Sequence, residues 1–148
     1  MPKLATRSLE PIRRWPLTRE AREQLLEEIA RLRGDLTSLA GQGLEEGIVR
    51  LPMTIAIRRL ETLRDVLDRC ELVDDTSCAA IGRRARLRED DGEPNSYEIV
   101  FPGDGDPSRG RISADSPIGA AVLGARPGDV VEVRAPAGPW SVTVLAVN

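Results

Sequence analysis

Residues 110–136, GRISADSPIGAAVLGARPGDVVEVRAP, decide the fold, because three structural instructions follow one another within this one run. Residues 110–113 have the length and alternation of a short strand. Ser116-Pro117-Ile118-Gly119 then opens a helix of one or two turns. Pro117 suits a first helical position, where its missing N–H would be unpaired anyway. Gly124 and Pro127-Gly128-Asp129 stop that helix and turn the chain, and residues 130–133 alternate as the next strand.

Working outward, Arg84, Arg86 and Arg88 alternate with Ala85 and Leu87, which predicts a strand with the apolar pair inward. A turn cluster at 90–94, a strand at 97–101, a loop at 102–109 and a closing hairpin of 130–134 with 140–147 complete the module. Five strands and one short helix predict a twisted antiparallel sheet wrapped around that helix.

Upstream the period changes. Thr18 is placed to cap a helix, with Glu20 and Glu23 where the positive helix end favours carboxylates. Leu17, Ala21, Leu25, Ile29, Leu32, Leu36 and Leu39 recur in steps of three and four, one apolar face reaching to about residue 40. Glycines at 41 and 43 break the pattern. A second helix follows Pro52, with Ile57, Leu60, Leu63, Leu67 and Cys70 on one face. Two such helices joined by a glycine-punctuated link are expected to pack antiparallel, apolar face to apolar face.

Composition excludes several chemistries. The 148 residues hold no histidine, which removes Ser-His-Asp and Cys-His catalysis, imidazole bases and the common zinc sites. Cys70 and Cys78 are too few for a disulfide framework or a zinc knuckle. The net charge of −3 is mild. It is unevenly spread: residues 1–16 hold four positive and one negative side chain, residues 17–75 nine and thirteen, residues 76–148 eight and ten. No apolar run approaches about 18 residues. The opening MPKLATRSLEPIRRWP lacks a signal peptide's apolar stretch, so a cytoplasmic protein without a membrane partner is expected.

The run SPIGAAVLG followed by GD resembles the C-terminal signature of the Gre family of bacterial transcription elongation factors, SP(I/L)GxAxLG…GD, shared by their relative Rnk, the regulator of nucleoside diphosphate kinase. Residues 16–32, PLTREAREQLLEEIARL, resemble the opening of a Gre coiled coil. Residues 97–110, YEIVFPGDGDPSRG, look more like Rnk. The resemblance implies an α+β fold: an N-terminal antiparallel α-helical hairpin (coiled coil), then a small FKBP-like antiparallel β domain with one short helix. The expected division is a flexible tail at 1–16, the hairpin at 17–75 with its tip at about 41–53, and the FKBP-like domain at 76–148.

The same resemblance implies a monomeric factor, not an enzyme, that binds RNA polymerase at the rim of its secondary channel and inserts the hairpin. Asp115, Ser116, Pro117, Ile118 and Gly119 would make the contact, with Ile118 as apolar anchor. The alternative for Pro117 and Ile118 is that they only seal the short helix onto the sheet.

Cleavage-competent family members carry an acidic tip, GDLxENAEY, that helps the polymerase hold a second Mg²⁺. Here Gly34-Asp35-Leu36 repeats only its start, too early for a tip, and the acids near the expected turn are Glu45 and Glu46. No metal or cofactor of its own is expected, beyond a Mg²⁺ shared with the polymerase if those glutamates reach it. The departure from the pattern favours a factor that inhibits over one that stimulates cleavage.

Arg83, Arg84, Arg86 and Arg88 form an expected basic face, able to pair with acidic polymerase surface or transcript phosphate. Its bland alternative is the wet face of an edge strand, where charge discourages aggregation. Two other functions stay open: an Rnk-like regulator of nucleotide metabolism, and a cleavage-stimulating factor with an atypical tip. A prolyl isomerase is disfavoured, because Trp15, Tyr97, Phe101 and Trp140 are too scattered to line a pocket.

Overall fold

The computed structural model describes residues 14–41, 50–73, 78–90 and 92–148. Thr18 opens the first helix as its chemistry predicts: its Oγ1 accepts a hydrogen bond from the Ala21 amide at 3.1 Å. Helix α1 spans Arg19–Gly41 and α2 spans Arg50–Asp68. Two short strands flank them, β1 at Trp15–Leu17 and β2 at Cys70–Leu72, and they pair in parallel with Trp15 opposite Cys70. That pairing ties the start of α1 to the end of α2. Trp15 and Pro16, assigned to the tail by sequence, therefore belong to the folded unit, with Trp15 only 7% exposed. The rest of that tail, residues 1–13, lies outside the described residues.

The helix core gathers near those strands. Ala21, Leu25 and Ile29 of α1 are buried with Leu63 and Val66 of α2, while Leu32, Leu60 and Leu67 pack on them partly covered. The sequence pattern puts Ile57 on this face, but it is 41% exposed, and Val66 takes the buried place instead. Spacings of three and four fit more than one face of α2, and contact with α1 selects the one through Leu63 and Val66.

The β module contains β3 (Arg84–Glu89), β4 (Asn95–Val100), β5 (Arg111–Ser113), β6 (Val130–Ala135) and β7 (Gly138–Val147). Their order across the sheet is β5-β4-β3-β7-β6. Helix α3, Pro117–Val122, packs against β5 and β6. The sheet is mixed rather than antiparallel throughout. β5 runs parallel to β4, because the segment after Phe101 loops out through a 3₁₀ turn at Pro107–Arg109 and returns before pairing. Ala85, Leu87, Ile99, Val133, Val142 and Val144 point inward and join Leu17, Leu25 and Leu63 in one continuous core.

The segment joining the helices to the sheet is held twice. Ile81 donates to the Pro16 carbonyl at 2.9 Å and accepts from Thr18 at 3.1 Å. Gly82 follows with φ +95°, where an added Cβ would lie 2.6 Å from Thr18 Oγ1, so no side chain fits. Arg83 corrects the expected basic face: it is 6% exposed, and its guanidinium donates to the carbonyls of Val73 and Cys78 at 3.0 Å each. A buried guanidinium satisfied by backbone oxygens is a structural tie for this segment. β3 is likewise no edge strand, for it is paired by β4 on one side and β7 on the other.

Candidate functional site

The site is a corner between β5 and α3. Ser113 ends β5, and the chain turns through Ala114 and Asp115 before Ser116 caps α3. Ser116 is bonded on both sides of its hydroxyl. Oγ accepts from the Gly119 amide at 3.1 Å and donates to the Ser113 carbonyl at 2.6 Å. Pro117 follows at the first helical position, as its fixed φ requires.

Gly119 is buried where α3 crosses β5. A Cβ there would stand 1.9 Å from the Ser113 carbonyl oxygen, so the turn closes only around glycine. The corner is thus rigid by construction: two hydrogen bonds through one hydroxyl, one proline and one backbone-on-backbone approach.

The five residues named from sequence fall together here but differ in exposure. Asp115 and Pro117 face solvent, Ser116 and Ile118 are half-buried, and Gly119 is covered. The Asp115 carboxylate accepts from the Ser113 hydroxyl, which fixes its direction. Ile118 packs on the core, so the sealing role applies to it in part, whereas Pro117 is open to a partner. Glu45 and Glu46 lie outside the described residues. Gly34, Asp35 and Leu36 sit inside α1, several residues before its end at Gly41.

One structural tie beside the corner had no local sequence signal. Arg59 of α2 reaches Glu28 of α1 at 3.3 Å and Asp104 at 2.9 Å, and donates to the Pro102 carbonyl. Gly103 makes this approach possible: its φ is +88°, and a Cβ would come within 2.9 Å of the Arg59 guanidinium. Two residues on, Gly105 lies against Ser113, so close that a Cβ on the glycine would stand 3.1 Å from the Ser113 Cβ. A continuous chain of contacts therefore runs from the helices through the 102–105 loop to the α3 corner. Arg59 and Asp104 are separated by 45 positions in sequence, and only the fold brings them together.

Residues 74–148 match the family model described as transcription elongation factor GreA/GreB, C-terminal part. The chain belongs to the Gre family of transcription elongation factors. Among its relatives, the transcription elongation factor GreA of Chloroflexus aggregans is 34% identical over 132 residues, 86% of this chain and 83% of that protein. The GreA of Sinorhizobium medicae is 34% identical over 142 residues, 91% and 87% of the two chains. Similar solved structures include GreA factor homolog 1 of Thermus thermophilus, 25% identical with a TM-score of 0.42, covering 92% of this chain and 99% of that one. The Gre-family match includes the whole α3 corner and the sheet that supports it.

Proposed function

We propose that this Gre-family factor binds RNA polymerase at the rim of its secondary channel through the α3 corner, and inserts α1 and α2 as an antiparallel hairpin. In this reading it acts as a cytoplasmic monomer and restrains transcription more than it stimulates transcript cleavage. The observation that carries the docking role is the corner itself. Its backbone is locked by Ser116 and Gly119, yet Asp115 and Pro117 are presented outward, at the position of the family signature. Rigid presentation lowers the ordering cost of binding.

The hairpin reading is supported by pairing at matching heights. Glu28 lies nine residues after the start of α1, and its partner Arg59 lies nine before the end of α2, as expected of helices running in opposite directions. A five-stranded sheet curled against α3 suits the FKBP-like cap that the family resemblance implies. The inhibitory reading rests on the position of Gly34-Asp35-Leu36 within α1, away from any tip, and on the missing remainder of the acidic pattern.

The test is direct. Purified protein should bind core RNA polymerase with one-to-one stoichiometry and compete with a GreA protein. Asp115→Arg and Pro117→Arg, both on exposed positions, should each weaken binding at least tenfold while leaving the fold intact. Backtracked complexes should not be rescued by the bound protein. Wild-type binding that neither corner variant disturbs removes the docking site. Rescue of backtracked complexes that disappears in Glu45→Ala/Glu46→Ala reverses the inhibitory reading and restores Mg²⁺ delivery by those glutamates.

A further inference from the structure

The arginines of β3 stand on an interior strand of the sheet, and that position calls for its own explanation. Arg84, Arg86 and Arg88 point away from the core, in alternation with the buried Ala85 and Leu87. On an edge strand such charges would protect unpaired backbone from other chains. β3 lies inside the sheet, since β4 pairs with residues 84–87 and β7 with residues 85–89. Guarding a free edge therefore does not account for the row.

Nor are the charges spent inside the molecule. Arg84 is in register with Glu98, but the Glu98 carboxylate is engaged by Arg111 from the other side at 3.4 Å. Among the described residues none of Arg84, Arg86 and Arg88 forms an ion pair. Their neighbours in register, Ser96, Thr143 and Ala146, are small or neutral. Three guanidinium groups without an ion-pair partner among the described residues thus stand in a row on an exposed sheet face, in a chain whose net charge is −3.

The row has a repeat. Alternate residues of a strand lie about 6–7 Å apart, and an extended polymer with one anion per unit can follow such spacing. The face also lacks what a protein interface usually has at its centre, a cluster of large apolar or aromatic anchors. Tyr97 and Trp140 pair with the buried Ala85 and Val133 and so lie on the opposite face, leaving Leu145 at the β7 bulge as the exposed large apolar side chain nearby. Without aromatic rings there is no platform for stacking bases, so contacts would be to phosphate alone and indifferent to sequence.

We infer that Arg84, Arg86 and Arg88 form a phosphate-tracking surface that binds a nucleic-acid backbone. The surface is separate from the α3 corner, and its test needs no polymerase. Fluorescence anisotropy of the full chain with a short labelled RNA strand, and with a DNA duplex of the same sequence, is measured between about 50 and 200 mM salt. Wild-type protein should bind with an affinity that falls steeply with salt, by a log–log slope of about −2 to −3 for three phosphates.

Arg84→Gln/Arg86→Gln/Arg88→Gln should lose at least tenfold at the low-salt end and most of that slope, with an unchanged thermal melt. Arg84→Lys/Arg86→Lys/Arg88→Lys should retain binding, because lysine serves as a point charge on phosphate. Preference for the RNA strand or the duplex identifies the source of the backbone. The inference is overturned if wild-type protein binds neither, or if the glutamine variant keeps its slope. Binding to polyglutamate alone would also overturn it, in favour of an acidic protein partner.

Discussion

Arg59→Met keeps the aliphatic stem of the side chain and removes its guanidinium, which isolates the contact between the helices and the β module. At 3.3 Å the Arg59–Glu28 attraction would amount to roughly 5 kcal/mol at an effective dielectric of about 20. Desolvation and residual water reduce it. Arg59 is 19% exposed, Glu28 24% and Asp104 42%. The better-covered Glu28 pair should retain about 1–2 kcal/mol, the more exposed Asp104 pair less than about 1, and the bond to the Pro102 carbonyl about 1.

The variant should therefore lose about 2–3 kcal/mol in urea unfolding, or about 5–10 °C in Tm for a chain of this length. A double-mutant cycle with Glu28→Gln should assign a larger coupling energy than one with Asp104→Asn. The amide of Asp104, which donates to the Phe101 carbonyl at 3.0 Å, should exchange faster with solvent when the loop loses its clamp. A loss within about 0.5 kcal/mol, the range of an ordinary surface substitution, together with unchanged Asp104 exchange, would refute the reasoning.

Gly119→Ala would set a Cβ 1.9 Å from the Ser113 carbonyl oxygen and must push that carbonyl aside, and denaturation should show a loss of about 3 kcal/mol or more along with lost polymerase binding. Ser116→Ala removes both hydroxyl contacts of the α3 cap, and should cost about 1–2 kcal/mol in the same assay while raising the exchange rate of the Gly119 amide. Arg83→Met leaves the Val73 and Cys78 carbonyls without their donor, which should cost about 2–4 kcal/mol but leave salt-dependent nucleic-acid binding unchanged. Leu25→Ala empties a fully covered position between the helices and the sheet, and should lower stability by about 2–5 kcal/mol.

The parts of the fold that local rules govern are legible in the chain. Thr18 and Ser116 cap the helices that their chemistry predicts, and Gly124 and Pro127 stop α3 where the turn residues demand. Three strands of the β module, β3, β6 and β7, follow from alternation at Ala85 and Leu87, Val131 and Val133, and Val142 and Val144. What escapes is long-range. β1 and β2 are three residues each, too short to show a period, and exist because each pairs with the other across more than fifty positions. Arg83 looks like its neighbours because composition does not distinguish a buried guanidinium from a wet one. The α3 corner is readable because all of its chemistry lies within seven residues, from Ser113 to Gly119; the Arg59 clamp is not, because Arg59 and its partners come from three separate segments.

Where Arg59 grips the helices has a mechanical consequence. A rod of 23 residues is about 35 Å long, and a pivot of about 10° at its root would swing its free end by about 6 Å. In the proposed hairpin the grip falls nine residues along α2 from that root, about 14 Å out, and the lever beyond it is shorter than the rod. Since the gripping loop also touches the turn that holds Ser116, pointing accuracy at the far end is inherited from the same few atoms that would seat the molecule on its partner.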